Sequence, residues 1–121
     1  MSPEPDHHLA QQLRALRREY LADSRQRVDE LRRLLTRVSA GERAALPDLR
    51  QAFHRLAGSG GSYGFPAVSA RSRDGERLAA GLSGADAAFQ PADLESLRDC
   101  IEDIAAAFAE ALNALDAESL S

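Results

Sequence analysis

An all-helical domain is the expected fold, and three features of the sequence carry that expectation. Alanine (23 residues) and leucine (17) make up a third of the 121-residue chain, whereas Val, Ile and Thr together number six. Sheets need β-branched and aromatic side chains to fill a pleated surface, and aromatic residues are 5% of this chain. Apolar residues also recur at three- and four-residue spacing along most of the length, which places them on helical faces. The chain fits one domain over residues 1–121, with a flexible start over 1–6 and a frayed end over 118–121.

Pro3, Pro5 and Asp6 form a helix-entry signal, with Asp6 available to cap free N–H groups. Leu9, Leu13, Leu16 and Tyr20 then share one face, and the stripe continues through Val28, Leu31, Leu35 and Val38. Ala22-Asp23-Ser24 interrupts it and offers a second cap, so a short first helix and a longer second one are expected. Ser39-Ala40-Gly41-Glu42 reads as a helix end, because glycine tolerates the left-handed conformation that stops helices. The next helix carries Leu46, Leu49, Phe53 and Leu56, with Pro47 in its first turn, and runs into the small residues Gly58 to Ser62 before a stop at Gly64. Phe65 and Pro66 open a further helix bearing Val68 and Leu78, with Leu82 just past it and Gly81 and Gly84 closing it. Ala85 to Gln90 reads as a loop. From Pro91 to about Ala117, Leu94, Leu97, Ile101, Ile104, Phe108, Leu112 and Leu115 form the cleanest stripe of all. Four amphipathic helices joined by short turns pack most simply as an antiparallel four-helix bundle, here with an additional short N-terminal helix.

The composition also closes doors. Cys100 is the only cysteine, so no internal disulfide forms, and no Cys/His set has zinc spacing. No stretch is long and apolar enough to span a membrane, and the N-terminus lacks the pattern of a secretion signal. A net charge of −4 argues against nucleic-acid binding. The expected setting is cytoplasmic, with no membrane or nucleic-acid partner and a monomeric chain. All fifteen basic residues are arginine.

His54 is the residue whose placement asks for a reason. It points about 130° away from the Leu49, Phe53 and Leu56 stripe, out of the core. Arg50, Ala57, Gly58 and Gly61 share its side, and Gly58 costs about 1 kcal/mol relative to alanine inside a helix. Small residues beside an exposed imidazole let another protein's surface approach closely. The same pattern also describes a solvated histidine near a loose helix end. A metal site is not supported, since no Glu or His stands at the i−3, i+3 or i+4 positions. His7 and His8 near the terminus carry no such pattern, and Cys100 beside the last stripe reads as packing.

The segment Phe53-His54-Arg55-Leu56-Ala57-Gly58-Ser59-Gly60-Gly61-Ser62-Tyr63-Gly64-Phe65 resembles the signature of histidine-containing phosphotransfer domains. That signature reads H-x-L-K-G-S, followed by a glycine at the tenth position after the histidine, which Gly64 occupies here. Helix order and chain length extend the resemblance over nearly the whole chain.

The resemblance implies that His54 accepts a phosphoryl group from a receiver aspartate or a histidine kinase and passes it to a receiver aspartate. The chain would then be a carrier without a kinase domain of its own, and without a cofactor, any Mg²⁺ belonging to the receiver. The family's lysine is Ala57 in this chain, and Arg50 and Arg73 are the candidates to replace its charge near the phosphoryl group. Glu76 stands twelve positions after Gly64, where chemotaxis-kinase relatives place a glutamate that orients the imidazole. Arg55, Ala57, Gly58, Ser59, Gly61 and Gly64 are the expected docking positions. From Arg43 to Arg77 six arginines stand against Asp48, Asp74 and Glu76, a local balance of +3 that would steer an acidic receiver pocket. Ala57 leaves a second option open, a module of the same fold that docks a receiver or kinase without carrying phosphate.

Overall fold

The computed structural model describes residues 4–84 and 89–120. It consists of α1 (Glu4–Ala22), α2 (Ser24–Ser39), α3 (Ala45–Ser62), α4 (Pro66–Ser83) and α5 (Pro91–Leu120), with no strand among the described residues. The all-α expectation holds. Helices α2 to α5 each pack on two of the others, α2 on α3 and α5, and α4 on α3 and α5, while α1 touches α5 and α2. Helices α3 and α4 run in opposite senses, since Ala57 meets Ser69 while His54, earlier on α3, meets Glu76, later on α4.

The helix boundaries follow local chemistry with some departures. The break at Asp23 is present, but α1 has 19 residues and α2 has 16, the reverse of the expected order. The Ala, Leu, Gln and Arg of 9–18 are strong helix formers and sustain the length of α1. Asp23 makes no side-chain cap hydrogen bond, and α1 begins at Glu4, ahead of Asp6. Gly41 (φ +95°) ends α2 and Gly64 (φ +84°) follows α3, both in the left-handed region. Pro66 and Pro91 stand first in α4 and α5, where no amide hydrogen is needed. Helix α4 passes through Gly81 and takes in Leu82, and α5 continues past Ala117 to Leu120. Of the expected 85–90 loop, 85–88 lie outside the described residues.

The stripes of α2, α3 and α5 meet in one core, with Leu31, Leu49, Phe53, Leu97, Ile101 and Ile104 fully buried. Two expectations fail. Leu78 on α4 is exposed, and on α1 Leu9, Leu13 and Leu16 are 55%, 47% and 48% exposed. The reason is where α1 is fastened. Tyr20 and Leu21 are buried, Tyr20 stacks on Tyr63 at 4.5 Å, and Arg17 Nε donates to the Tyr63 carbonyl at 3.1 Å. The Tyr20 hydroxyl also shares a 2.7 Å hydrogen bond with Ser59, and burial pushes its pKa above the usual tyrosine value. These contacts hold the C-terminal end of α1 against the α3–α4 turn. Its earlier turns run on beside the end of α5, where Arg14 pairs with Glu118 at 3.6 Å.

Two glycines set the spacing of α3 and α4. A Cβ at Gly75 would lie 2.5 Å from the ring of Phe53, and one at Gly60 would lie 3.0 Å from Val68 and 3.1 Å from the Ser69 backbone. Phe53 is fully buried and held on all sides, so its ring has no free space to enter. Gly75→Ala is therefore expected to destabilise the protein by about 1–3 kcal/mol, overpacking outweighing the helix-propensity gain of about 1 kcal/mol. Urea denaturation checks this, and a midpoint at or above that of the native chain would show that the ring yields without cost.

Candidate functional site

Phe53 and His54 are neighbours on α3, about 100° apart around its axis, so burying the first turns the second outward. The His54 side chain is 65% exposed while Phe53 is fully buried. Gly75 and Glu76 are the matching neighbours on α4: the glycine lets the backbone sit over Phe53, and the next residue projects beside His54. His54 Nδ1 lies 2.9 Å from Glu76 Oε1. An ionised carboxylate only accepts hydrogen bonds, so a neutral imidazole in this contact donates from Nδ1–H and leaves the Nε2 lone pair free.

The imidazole borders a shallow groove of about 490 Å³ lined by Pro47, Arg50, Gln51, His54, Glu76 and Ser83. Arg50, His54 and Glu76 are thus brought together, with Arg50 the cation of that lining. Arg73 is exposed on α4, one turn before Glu76 on the same side, and lies outside that lining. Arg55 is exposed and reaches toward α2, with Nη2 4.0 Å from Glu30.

Towards the C-terminal end of α3 the expected docking positions divide. A Cβ at Gly58 would meet no atom within 4 Å, so open space adjoins the helix there. Gly61 and Gly64 are exposed, with Arg17 Nη2 2.9 Å from a Cβ at Gly64. Ser59 is turned toward α1 by its bond to Tyr20. Ala57 corrects the expectation placed on it: it is 5% exposed, and its carbonyl accepts the Ser69 hydroxyl at 2.7 Å. The close crossing at Gly60 brings α4 over it. Gly58, one residue on, faces open space.

Sequence reasoning passed over Gly75, Gly60, Ser69 and the Tyr20–Ser59 pair. Gly75 did carry a signal, a lone glycine inside a helix next to a proposed site residue, which implies close approach. Among the described residues no cluster of His, Cys, Asp and Glu suits a metal ion. Burial, followed by the nearby acidic groups, pushes the Cys100 thiol up, so it stays protonated and unreactive.

Fold and site together define a helical bundle that presents one imidazole, braced by a carboxylate, on an open face. Residues 15–118 match the Hpt domain family, and the chain belongs to it. As an Hpt domain it is a phosphotransfer module of two-component signalling, a class of phosphoryl carriers and not of kinases. Comparison with curated proteins and with solved structures returned no match. No helix among the described residues is long and apolar enough to cross a membrane.

The open ground at Gly58 has a measurable consequence. Gly58→Ala is expected to stabilise the fold by up to about 1 kcal/mol, since helix propensity improves and nothing is struck. A loss of stability in urea would mean that the space beside His54 is filled.

Proposed function

We propose that this chain is the histidine phosphotransfer carrier of a two-component phosphorelay, built as an antiparallel four-helix bundle with an additional N-terminal helix. The observation that supports it most is the 2.9 Å contact of His54 Nδ1 with Glu76, on a side chain 65% exposed. The Nε2 lone pair attacks phosphorus, the P–O bond to the receiver aspartate breaks, and the aspartate departs as a carboxylate. The phosphorylated ring carries positive charge and keeps its Nδ1–H, which Glu76 stabilises. The return step runs the same bonds in reverse toward a second receiver aspartate; a histidine kinase is the other donor of this class.

Phosphoryl transfer requires in-line placement and charge neutralisation above all. The receiver supplies Mg²⁺ and an acidic pocket, and the carrier itself uses no cofactor. Arg50 and Arg73 supply the positive charge that the family's lysine would give, Arg50 from the groove beside His54 and Arg73 from α4. Arg55, Gly58, Ser59, Gly61 and Gly64 form the face on which the receiver docks, Ala57 lying beneath it. The chain works in the cytoplasm, with receivers and kinases as its partners.

Incubation with a phosphorylated receiver and Mg²⁺ tests this. Acid-labile, base-stable label is expected on the native chain and not on His54→Gln; label that persists in that variant removes His54 as the acceptor. A folded chain that binds the receiver without taking label would favour the non-phosphorylated docking module instead. Glu76→Ala is expected to slow transfer roughly 10- to 100-fold, the worth of a hydrogen bond to a charged group. Equal rates would leave Glu76 a surface residue.

A further inference from the structure

Side chains of an α-helix lean toward its N-terminus, so the imidazole of His54 lies over the turn that precedes it. The groove beside the ring has the same bias. Its lining on α3 is Pro47, Arg50 and Gln51, all before His54, and on the oppositely running α4 it is Glu76 and Ser83, level with His54 and beyond. Ala57, Gly58 and Gly61, on the following turns of α3, take no part in it. The open volume of about 490 Å³ next to the imidazole thus lies on the opposite side of His54, along the helix, from the position of the family's lysine.

A phosphoryl group on Nε2 brings negative charge and three oxygens that accept hydrogen bonds. Along the groove, Glu76 is committed to Nδ1 at 2.9 Å, Pro47 has no donor, and the Ser83 hydroxyl donates to the Ala79 carbonyl at 3.0 Å. Arg50 and Gln51 remain. They stand four and three residues before His54, about 40° to one side of it and about 60° to the other around the helix axis. Both are exposed, and neither has a hydrogen-bond or ion-pair partner among the described residues. Residues three and four apart are surface neighbours on a helix, so a guanidinium and a carboxamide N–H2 straddle the ground under the imidazole.

We infer, resting on the carrier reading above, that the phosphoryl group on His54 is held over the preceding turn of α3, where the Gln51 carboxamide donates to one of its oxygens beside the Arg50 guanidinium. Donors on the helix side meet the equatorial oxygens and leave the face of phosphorus away from Nε2 open to a receiver aspartate approaching in line. Gln51 adds a hydrogen bond without adding charge. A neutral donor holds the group less firmly than a second cation would, which suits a bond that has to be passed on.

Loading the full chain with phosphoramidate, a small-molecule phosphodonor, and titrating it by phosphorus NMR tests the proposal, because the last ionisation of the phosphoryl group reports its donors. Gln51→Ala removes the donor and is expected to raise the midpoint by a few tenths of a pH unit, roughly. Gln51→Glu puts a carboxylate of the same shape there and should raise it by roughly 0.5–1 pH unit. Asn113→Asp, the same change of charge at an exposed position of α5, should leave the native midpoint. Helicity is expected to be unchanged in all three, since both positions are exposed. A native midpoint in Gln51→Ala overturns the proposal, as does a midpoint in Gln51→Glu equal to that of Asn113→Asp, and either result leaves His54 standing as the acceptor. A native chain that takes no phosphoryl group from phosphoramidate or from a phosphorylated receiver removes the carrier reading and the proposal with it.

Discussion

The close crossing of α3 and α4 is the constraint on which the rest of this structure depends. Gly75 lies against the Phe53 ring, where a Cβ could not fit without a shift, and Gly60 lies against Val68 and the Ser69 backbone, where a Cβ would be tight. Phe53 cannot retreat because it is fully buried among the leucines of α2, α3 and α5. With both contacts fixed, the register of the two helices is fixed. Ser69 then meets the Ala57 carbonyl at 2.7 Å, and Glu76 meets His54 at 2.9 Å. The site is a by-product of core packing: neighbours of two core residues, turned outward by the 100° step of the helix, are forced into contact.

This construction suits a carrier. An enzyme would surround its nucleophile with its own pocket, but a group that must enter a partner's pocket has to stand proud of its own surface. His54 does so at the cost of an exposed hydrogen bond, in which water competes for both partners. What the protein contributes is therefore orientation, a local excess of arginine and bare ground at Gly58. The arginines proposed to stand in for the family's lysine fit the same geometry. Ala57 lies under α4, whereas Arg50 opens onto the groove and Arg73 stands on the face of α4 that carries Glu76.

Much of this was legible in the residues. Apolar periodicity located the helices, and Gly41, Gly64, Pro66 and Pro91 marked their ends, because those signals act through local backbone chemistry. The angle of His54 from its stripe, and the place of Glu76 in the family pattern, also pointed to the contact. Tertiary relations were not legible. Periodicity shows which side chains share a face but not whether anything covers it, and Leu9, Leu13 and Leu16 are the result. Ala57 shares a side with His54 by helical angle, yet α4 covers one and not the other. Aspartates at Asp6 and Asp23 looked like caps, but strong helix formers carried α1 past the first, and the second makes no cap bond.

The orientation of the imidazole is the link between fold and chemistry, and nitrogen NMR of His54 reads it directly. With Glu76 accepting from the ring, the neutral imidazole should show its proton on Nδ1 and an unprotonated Nε2. A neutral ring protonated on Nε2 would contradict this, because Glu76 would then be no acceptor and the outward nitrogen no nucleophile.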